Sequence, residues 1–384
     1  MRIGIEGQRL FRKKKHGMDM VALELIKNLQ LIDKKNEYVI FVKPDEDRGC
    51  IPSVPNFKIV ELSGGPYPTW EQFALPRAAK KEGCQLLHCT SNTGPVFSKV
   101  PLLTILHDII YMESIMLFKK GGTWYQKLGN VYRRWVVPPV VRKSLRITTV
   151  SNFEKQRIAD FFNLDNKKLI TVYNGVGEHF KKITDTKTLQ TAKEKYQLPE
   201  RFMFFLGNTD PKKNTPNVLK AFAEFNETSA VKYKLVMLDY EESALQSILN
   251  EIGQPNMRPD IHLTGYVVNT DLPAIISQCT IFLYPSLRES FGIPILEGMA
   301  CGVPVITSNT SSMPEVAGDA ALLVNPANSN EIKAAIEKIL NNEELRRQLI
   351  EKGIERASNF SWKIMAENYL KLYQDVVAEL DNSK

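Results

Sequence analysis

A chain of 384 residues exceeds what one ordinary core accommodates, so two domains are expected. With 43% hydrophobic and 24% charged residues and no low-complexity tract, the composition excludes a disordered or fibrous protein, and no run reaches the ~18 apolar residues of a bilayer span. The net charge of +7 is unevenly placed: residues 1–175 hold 28 Lys and Arg against 16 Asp and Glu, so a basic first half precedes a mildly acidic remainder.

The chain opens on Met1-Arg2-Ile3-Gly4-Ile5-Glu6, which reads as a strand rather than a charged region leading into an apolar signal core. A cytoplasmic protein is expected. Short apolar runs then alternate with helix-length amphipathic stretches, the mark of parallel α/β sheets. Strands are expected at 3–5, 38–42, 58–62, 86–88, 102–106, 147–150 and 169–172, with helices such as 19–31, 69–81 and 152–162 between them. A Lys- and Thr-rich stretch at 177–199 reads as a linker with a short helix at 189–196, and the strand pattern restarts at 202–206, 234–238, 261–263, 281–283, 303–307 and 321–324. After Ser361, the residues Trp362, Met365, Ala366, Tyr369, Leu372, Tyr373, Val376 and Leu380 recur at three/four spacing, so one face of a terminal helix must be covered. The expected organisation is a first domain over 1–180, a linker over 181–198, a second domain over 199–361 and a helix over 362–384 returning to the first domain.

The five cysteines (Cys50, Cys84, Cys89, Cys279, Cys301) are odd in number and form no CxxC pair, which fits reduced, mostly buried thiols rather than disulfides or a zinc cluster.

Chemistry concentrates in the run Tyr284-Pro285-Ser286-Leu287-Arg288-Glu289-Ser290-Phe291-Gly292-Ile293-Pro294-Ile295-Leu296-Glu297. It reads as strand, glycine-containing loop and short helix. Pro294 suits a helix's first turn, where a missing N–H costs nothing. The loop before it therefore offers free backbone N–H groups at the sheet edge where parallel α/β folds bind ligands, and a helix start there suits a diphosphate. Glu289 and Glu297 each could grip vicinal hydroxyls of a sugar or a ribose. Taken alone, either would pass for a solvated surface residue; the loop between them favours a site.

This run resembles the E-x7-E motif of the retaining GT-B glycosyltransferases of family 4, the group 1 proteins. Further segments match in order. Phe205-Leu206-Gly207-Asn208-Thr209-Asp210-Pro211-Lys212-Lys213-Asn214 resembles the family's basic phosphate loop, Leu263-Thr264-Gly265-Tyr266-Val267 its base-binding turn, and Met313-Pro314-Glu315 the segment after the motif. Trp70-Glu71-Gln72, Leu75-Pro76, His107-Asp108, Val150-Ser151 and Asn174-Gly175-Val176 also have counterparts. The resemblance implies a GT-B architecture, two Rossmann-like domains facing across a cleft, and transfer of a sugar from a nucleotide-sugar donor with retention of configuration. No metal and no cofactor are expected, the nucleotide-sugar being a substrate. Glu289 is expected at donor-sugar hydroxyls and Glu297 at the ribose. Lys213, with Lys212, is expected at the leaving diphosphate, where an aimed cation stabilises developing charge. Ser290, Phe291, Gly292 and Ile293 are expected along the sugar and diphosphate, and Tyr266 and Val267 at the base. Many family members carry Arg where this chain has Asn208, which leaves open which residue meets which phosphate.

In the first half, His107 follows an expected strand, and the family places such a histidine at the donor sugar; a structural histidine capped by Asp108 is the other reading. His88 could line the same region. Gly17 is all that remains of a Gly-Gly or Gly-x-Gly that the family often places near phosphates and acceptor, beside the run Lys13-Lys14-Lys15. The segment 124–146 mixes Trp124, Tyr125, Tyr132 and Trp135 with Lys127, Arg133, Arg134, Arg142, Lys143 and Arg146. That composition suits a bilayer interface, and a saccharide or lipid-linked acceptor at the inner face of the membrane would fit it and the basic first half. A partly buried helix broken at Pro138-Pro139 fits equally. Nucleic acid is not an expected partner, since no recognition module accompanies the charge. Three rivals stand beside the transferase: a metal site on Asp45-Glu46-Asp47, an epimerase or phosphorylase on the same scaffold, and a nucleotide-sugar-binding protein without activity.

Overall fold

The structure, a computed structural model, describes residues 1–113, 124–165 and 167–382, and of residues 124–127 the backbone alone. The chain forms two compact units, Met1–Asn174 with Trp362–Lys384, and Gly175–Ser361. The stretch read as a linker contains the helix Thr186–Lys195, capped by Asp185, whose carboxylate accepts the Thr188 N–H.

The first unit is built on a seven-stranded parallel sheet: β1 (Arg2–Glu6), β2 (Glu37–Val42), β3 (Phe57–Glu61), β4 (Leu86–Cys89), β5 (Leu102–Ile105), β6 (Arg146–Thr149) and β7 (Leu169–Thr171), in the order β3-β2-β1-β4-β5-β6-β7. Its strands are near-continuous apolar runs because both faces are covered. Tyr38, Val39, Ile40, Phe41 and Val42 are all buried. The terminal helix Trp362–Asn382 packs beside the helix Gly17–Ile32 and buries the expected stripe from Trp362 to Val376. Its Tyr373 hydroxyl meets His88 Nδ1 at 2.6 Å, and its Tyr369 hydroxyl meets the Thr148 hydroxyl at 3.0 Å. His88 is thus a core residue rather than a site-lining one, and burial pushes its imidazole down to about 3, so it stays neutral.

Two local expectations give way to packing. The helix expected at 69–81 widens into a π turn at Trp70–Ala74, where the Leu75 N–H reaches back to the Trp70 carbonyl. Pro76 lacks an N–H and its ring would crowd the carbonyl four residues earlier, so the wider turn accommodates it. The helix Trp124–Lys143 runs through Pro138-Pro139 without breaking. Val136, Val137, Val140 and Val141 flank the pair and are buried, and that burial outweighs a proline's helix penalty of roughly 3 kcal/mol. Trp124, Tyr125 and Lys127 have side chains outside the described residues.

The second unit carries six parallel strands: β8 (Phe202–Phe205), β9 (Lys234–Met237), β10 (Ile261–Leu263), β11 (Phe282–Tyr284), β12 (Val305–Ser308) and β13 (Leu322–Val324), in the order β10-β9-β8-β11-β12-β13. Strand order reverses between β8 and β11. Loops leaving those two strands diverge, and open α/β sheets bind ligands in the crevice so formed. The helix Ile293–Ala300 lies close on this sheet through Gly298, where an added Cβ would stand 2.9 Å from the Phe282 ring.

Candidate functional site

The loop after β8 ends in a single turn, Pro211–Lys213, started by proline and capped by Asp210, which accepts the Lys212 N–H at 3.1 Å. Asn214 then adopts a left-handed conformation with φ 63° and leads into the helix Thr215–Thr228. Its amide donates to the carbonyls of Pro285 (2.9 Å) and Pro326 (2.7 Å), and the Leu287 N–H donates to the Lys212 carbonyl at 2.7 Å. The loops after β8 and β11 are therefore laced together. Between the ties, Lys213 Nζ donates to the Tyr284 hydroxyl and to Glu289 Oε1, both at 2.7 Å, and lies 4.7 Å above the Tyr284 ring centre. Only 15% of the Lys213 side chain and 11% of the Glu289 side chain are exposed.

A run of hydroxyls shapes the Glu289 loop from behind. The Ser308 hydroxyl donates to the Ser286 carbonyl, and the Ser311 hydroxyl accepts the Glu289 N–H at 3.0 Å. The Ser312 hydroxyl donates to the carbonyls of Glu289 (2.9 Å) and Phe291 (3.0 Å). Gly292 turns the chain into the following helix at φ 96°, a conformation costly for any side chain, and Pro294 sits in that helix's first turn. The Phe291 ring is buried edge-on to Phe360, with ring centres 5.9 Å apart, so its backbone is what a ligand would meet. One turn into the helix, Glu297 is partly buried; burial pushes its carboxyl up to about 7, against the opposing pull of the Lys213 cation. Lys213, Glu289 and Glu297 thus share one neighbourhood at the reversal of strand order.

The other expected residues fall around or away from it. Ser290, Phe291 and Gly292 form the connecting loop, and Ile293 begins the helix. Asn208 is exposed; its side chain accepts the Asp210 N–H at 2.8 Å and its carbonyl accepts the Thr215 hydroxyl at 2.9 Å. Lys212 is also exposed, with its cation 3.6 Å from Asp210. Tyr266 and Val267 follow β10, two strands from β8, and Tyr266 is 73% exposed. In the first unit, exposed Gly17 begins its helix. His107 is buried, donates its backbone N–H to Asn92 Oδ1 at 2.6 Å, and has Nε2 3.0 Å from the Thr90 carbonyl. A carbonyl only accepts, so Nε2 carries the proton; burial lowers the imidazole's pKa and favours this neutral form. Asp47, from the acidic turn, is engaged by Lys15. All five cysteines are free thiols, four of them buried.

Sequence reasoning passed over Tyr284, Asn214 and the hydroxyl run. The signal for the last was present: Thr307-Ser308-Asn309-Thr310-Ser311-Ser312 is an unbroken polar run that begins in β12 and continues past its end.

The family described as Glycosyl transferases group 1 matches residues 187–356, and the one described as Glycosyltransferase Family 4 matches residues 16–179. The chain belongs to the family 4, or group 1, glycosyltransferases. It is 30% identical over 229 residues to an O-antigen chain mannosyltransferase B of Escherichia coli, a match covering 59% of this chain and 60% of that one. The chain thus spans less than two thirds of that relative's length. Among solved structures, sucrose-phosphate synthase from Thermosynechococcus elongatus superposes with a TM-score of 0.75 at 18% identity, covering 98% of this chain and 99% of that one. The Anabaena protein HepE in complex with UDP and glucose gives 0.73 at 16% identity, covering 98% and 100%. The fold is that of the GT-B class.

Proposed function

We propose that the chain transfers a glycosyl unit from a nucleoside-diphosphate sugar to a hydroxyl of a saccharide or lipid-linked acceptor, with retention of anomeric configuration and without a metal ion. The observation that carries this reading is the convergence of Lys213, Tyr284, Glu289 and Glu297 where the second sheet's strand order reverses. The second unit, from about residue 199, takes the donor and the first, to about residue 180, the acceptor, with 181–198 joining them and the helix from 362 belonging to the acceptor side. Glu289 accepts hydrogen bonds from vicinal hydroxyls of the donor sugar, and Glu297 from the ribose. Lys213, with Lys212 beside it, neutralises the diphosphate as the C1–O bond breaks. The backbone from Ser290 to Ile293 and the Asn208 loop line sugar and phosphates, while Tyr266 and Val267 meet the base. Gly17 and His107 serve the same reaction from the first unit. The acceptor hydroxyl attacks C1 on the face the phosphate leaves, and its proton passes to a phosphate oxygen. Glu289 and Glu297 are kept for hydroxyls, and no side-chain nucleophile is needed.

Support for a lipid-linked or surface-polysaccharide acceptor comes from the O-antigen relative and from the basic first half. We place the protein at the cytoplasmic face of the membrane. No described helix is long and apolar enough to cross one, while Trp135 is 82% exposed on a helix that also carries Arg133, Arg134, Arg142 and Lys143. Salt-sensitive flotation with anionic liposomes is expected.

A thermal-shift screen of UDP, GDP and ADP and their sugar conjugates tests the donor reading, since a ligand that binds only the folded state raises the melting temperature. The matching donor should then support transfer in excess EDTA, with the new linkage in the donor's anomeric configuration by NMR. A flat screen would sink the proposal; activity abolished by EDTA would remove its metal-free clause.

A further inference from the structure

A concavity of about 250 Å³ opens beside the carboxyl ends of β1, β2 and β3 in the first unit, lined by Gln8, Arg12, Lys43, Asp45 and by Tyr67 between two prolines. Its cations are not equivalent to their neighbours. Lys15 is spent on Asp47, and Lys13 lies 3.9 Å from Glu46. Arg12, by contrast, has no side-chain partner among the described residues, although its backbone is fixed by an N–H bond to the Arg9 carbonyl at 3.2 Å and by Lys15 Nζ on its own carbonyl at 3.0 Å. Lys43 Nζ donates to the Gly65 carbonyl at 3.2 Å and keeps further protons for a ligand. Gln8 is 6% exposed, and its buried Oε1 finds no hydrogen-bond partner among the described residues. The Tyr67 hydroxyl is engaged by Glu71 at 2.6 Å and Thr93 at 2.8 Å, which holds its ring as a wall.

Each wall asks for something different. The tyrosine and its prolines suit the C–H face of a sugar ring, Asp45 and Gln8 suit hydroxyls, and the two available cations suit an anion. A neutral sugar would leave Arg12 and Lys43 with Asp45 as the one carboxylate lining the same pocket, and a bare ion would leave the aromatic wall unused. We infer that this pocket binds an acidic saccharide unit, bearing a carboxylate or a phosphate, and that the acceptor of the transfer proposed above presents such a unit. The second clause rests on that proposal; the pocket itself does not.

Titration of the full chain at low salt with methyl glucuronide, glucose 6-phosphate and methyl glucoside, followed by saturation-transfer NMR, tests it. The acidic probes should bind at least about tenfold more tightly than the neutral one, and Arg12→Ala and Lys43→Gln should each weaken them about fivefold. The tighter acidic probe identifies the anion. Equal binding of the glucoside would overturn the inference. So would unchanged binding in both variants with normal melting curves, or inorganic phosphate binding as tightly as glucose 6-phosphate. A parallel UDP and GDP titration separates the two proposals: loss of nucleotide binding with acidic sugars still bound removes the donor reading and spares the pocket.

Discussion

The second sheet repeats the order of the first sheet's first six strands, yet carboxylates near the two reversal points are held in opposite ways. In the first unit, Glu6 ends β1 at 1% exposure, with the Thr90 hydroxyl donating to Oε2 at 2.9 Å, and nearby Glu71 is fully buried. Hydroxyls of Tyr67, Thr93 and Tyr132 and the amide of Gln72 all donate to Glu71. That carboxylate is saturated by neutral donors from the π turn, the segment after β4 and the long helix, and it binds those three elements together. In the second unit, Glu289 is held by the Lys213 cation and the Tyr284 hydroxyl, and no side chain among the described residues donates to Glu297. In the proposed reaction, a bound donor would exchange both ends of the Lys213–Glu289 pair at once, offering phosphate to the lysine and hydroxyls to the carboxylate. On the proposed reading, the carboxylate saturated by neutral donors is structural and the one paired with a cation is available.

The sharpest way to break this contrast is Glu289→Gln. The substitution keeps the shape and removes the charge that hydroxyls recognise, so turnover should fall roughly 100-fold or more while the melting temperature holds. Near wild-type turnover would show that Glu289 is no more than Lys213's partner. Glu71→Ala should give the reverse signature. Three hydroxyls lose their acceptor in a buried setting, costing roughly 2–4 kcal/mol, visible as a lower urea midpoint with turnover per folded molecule retained. If Glu71→Ala left stability unchanged and abolished transfer, the division between structural and available carboxylates would be wrong.

How much of this was legible follows from the same physics. Parallel strands covered on both faces are near-continuous apolar runs, so every run marked as a strand is one in the structure. Glu289 and Glu297 stood out because a loop with glycine and proline lies between them, and Lys213 because its segment resembles the family's phosphate loop. Tyr284 did not, because a tyrosine ending a buried strand looks like core until the lysine that bonds it is placed. His88 misled for the converse reason: its partner Tyr373 lies 285 residues away, and a histidine ending a strand reads the same whether solvent or a distant helix faces it. The π turn and the unbroken Pro138-Pro139 helix break local rules, and only tertiary packing explains either.

Lys213→Ala sharpens the contrast from the cation's side. Removing one charge-assisted contact to phosphate should weaken nucleoside-diphosphate binding by about tenfold, measured by calorimetry. The same substitution frees Glu289 from its ion pair with Lys213, so a variant that bound the nucleotide as tightly as the wild type would place the diphosphate elsewhere.

The smallest effect is expected at Glu297, and its sign follows from burial. Its carboxyl, raised to about 7, keeps its proton in the folded protein at pH values where the unfolded chain has lost it. The stability this contributes is present at low pH and declines as pH rises through about 7. Ribose recognition, as proposed for Glu297, would run the other way, because only the ionised form accepts from two hydroxyls without donating. Affinity for an intact nucleotide-sugar should therefore rise a few-fold between pH 6 and 8. A nucleotide-sugar is the right probe, since its diphosphate carries no terminal phosphate that titrates in that interval. In Glu297→Gln the affinity should be lower and flat across the same range. A pH step that survives that substitution would assign the titration to another group and leave Glu297, like Glu71, a carboxylate kept for structure.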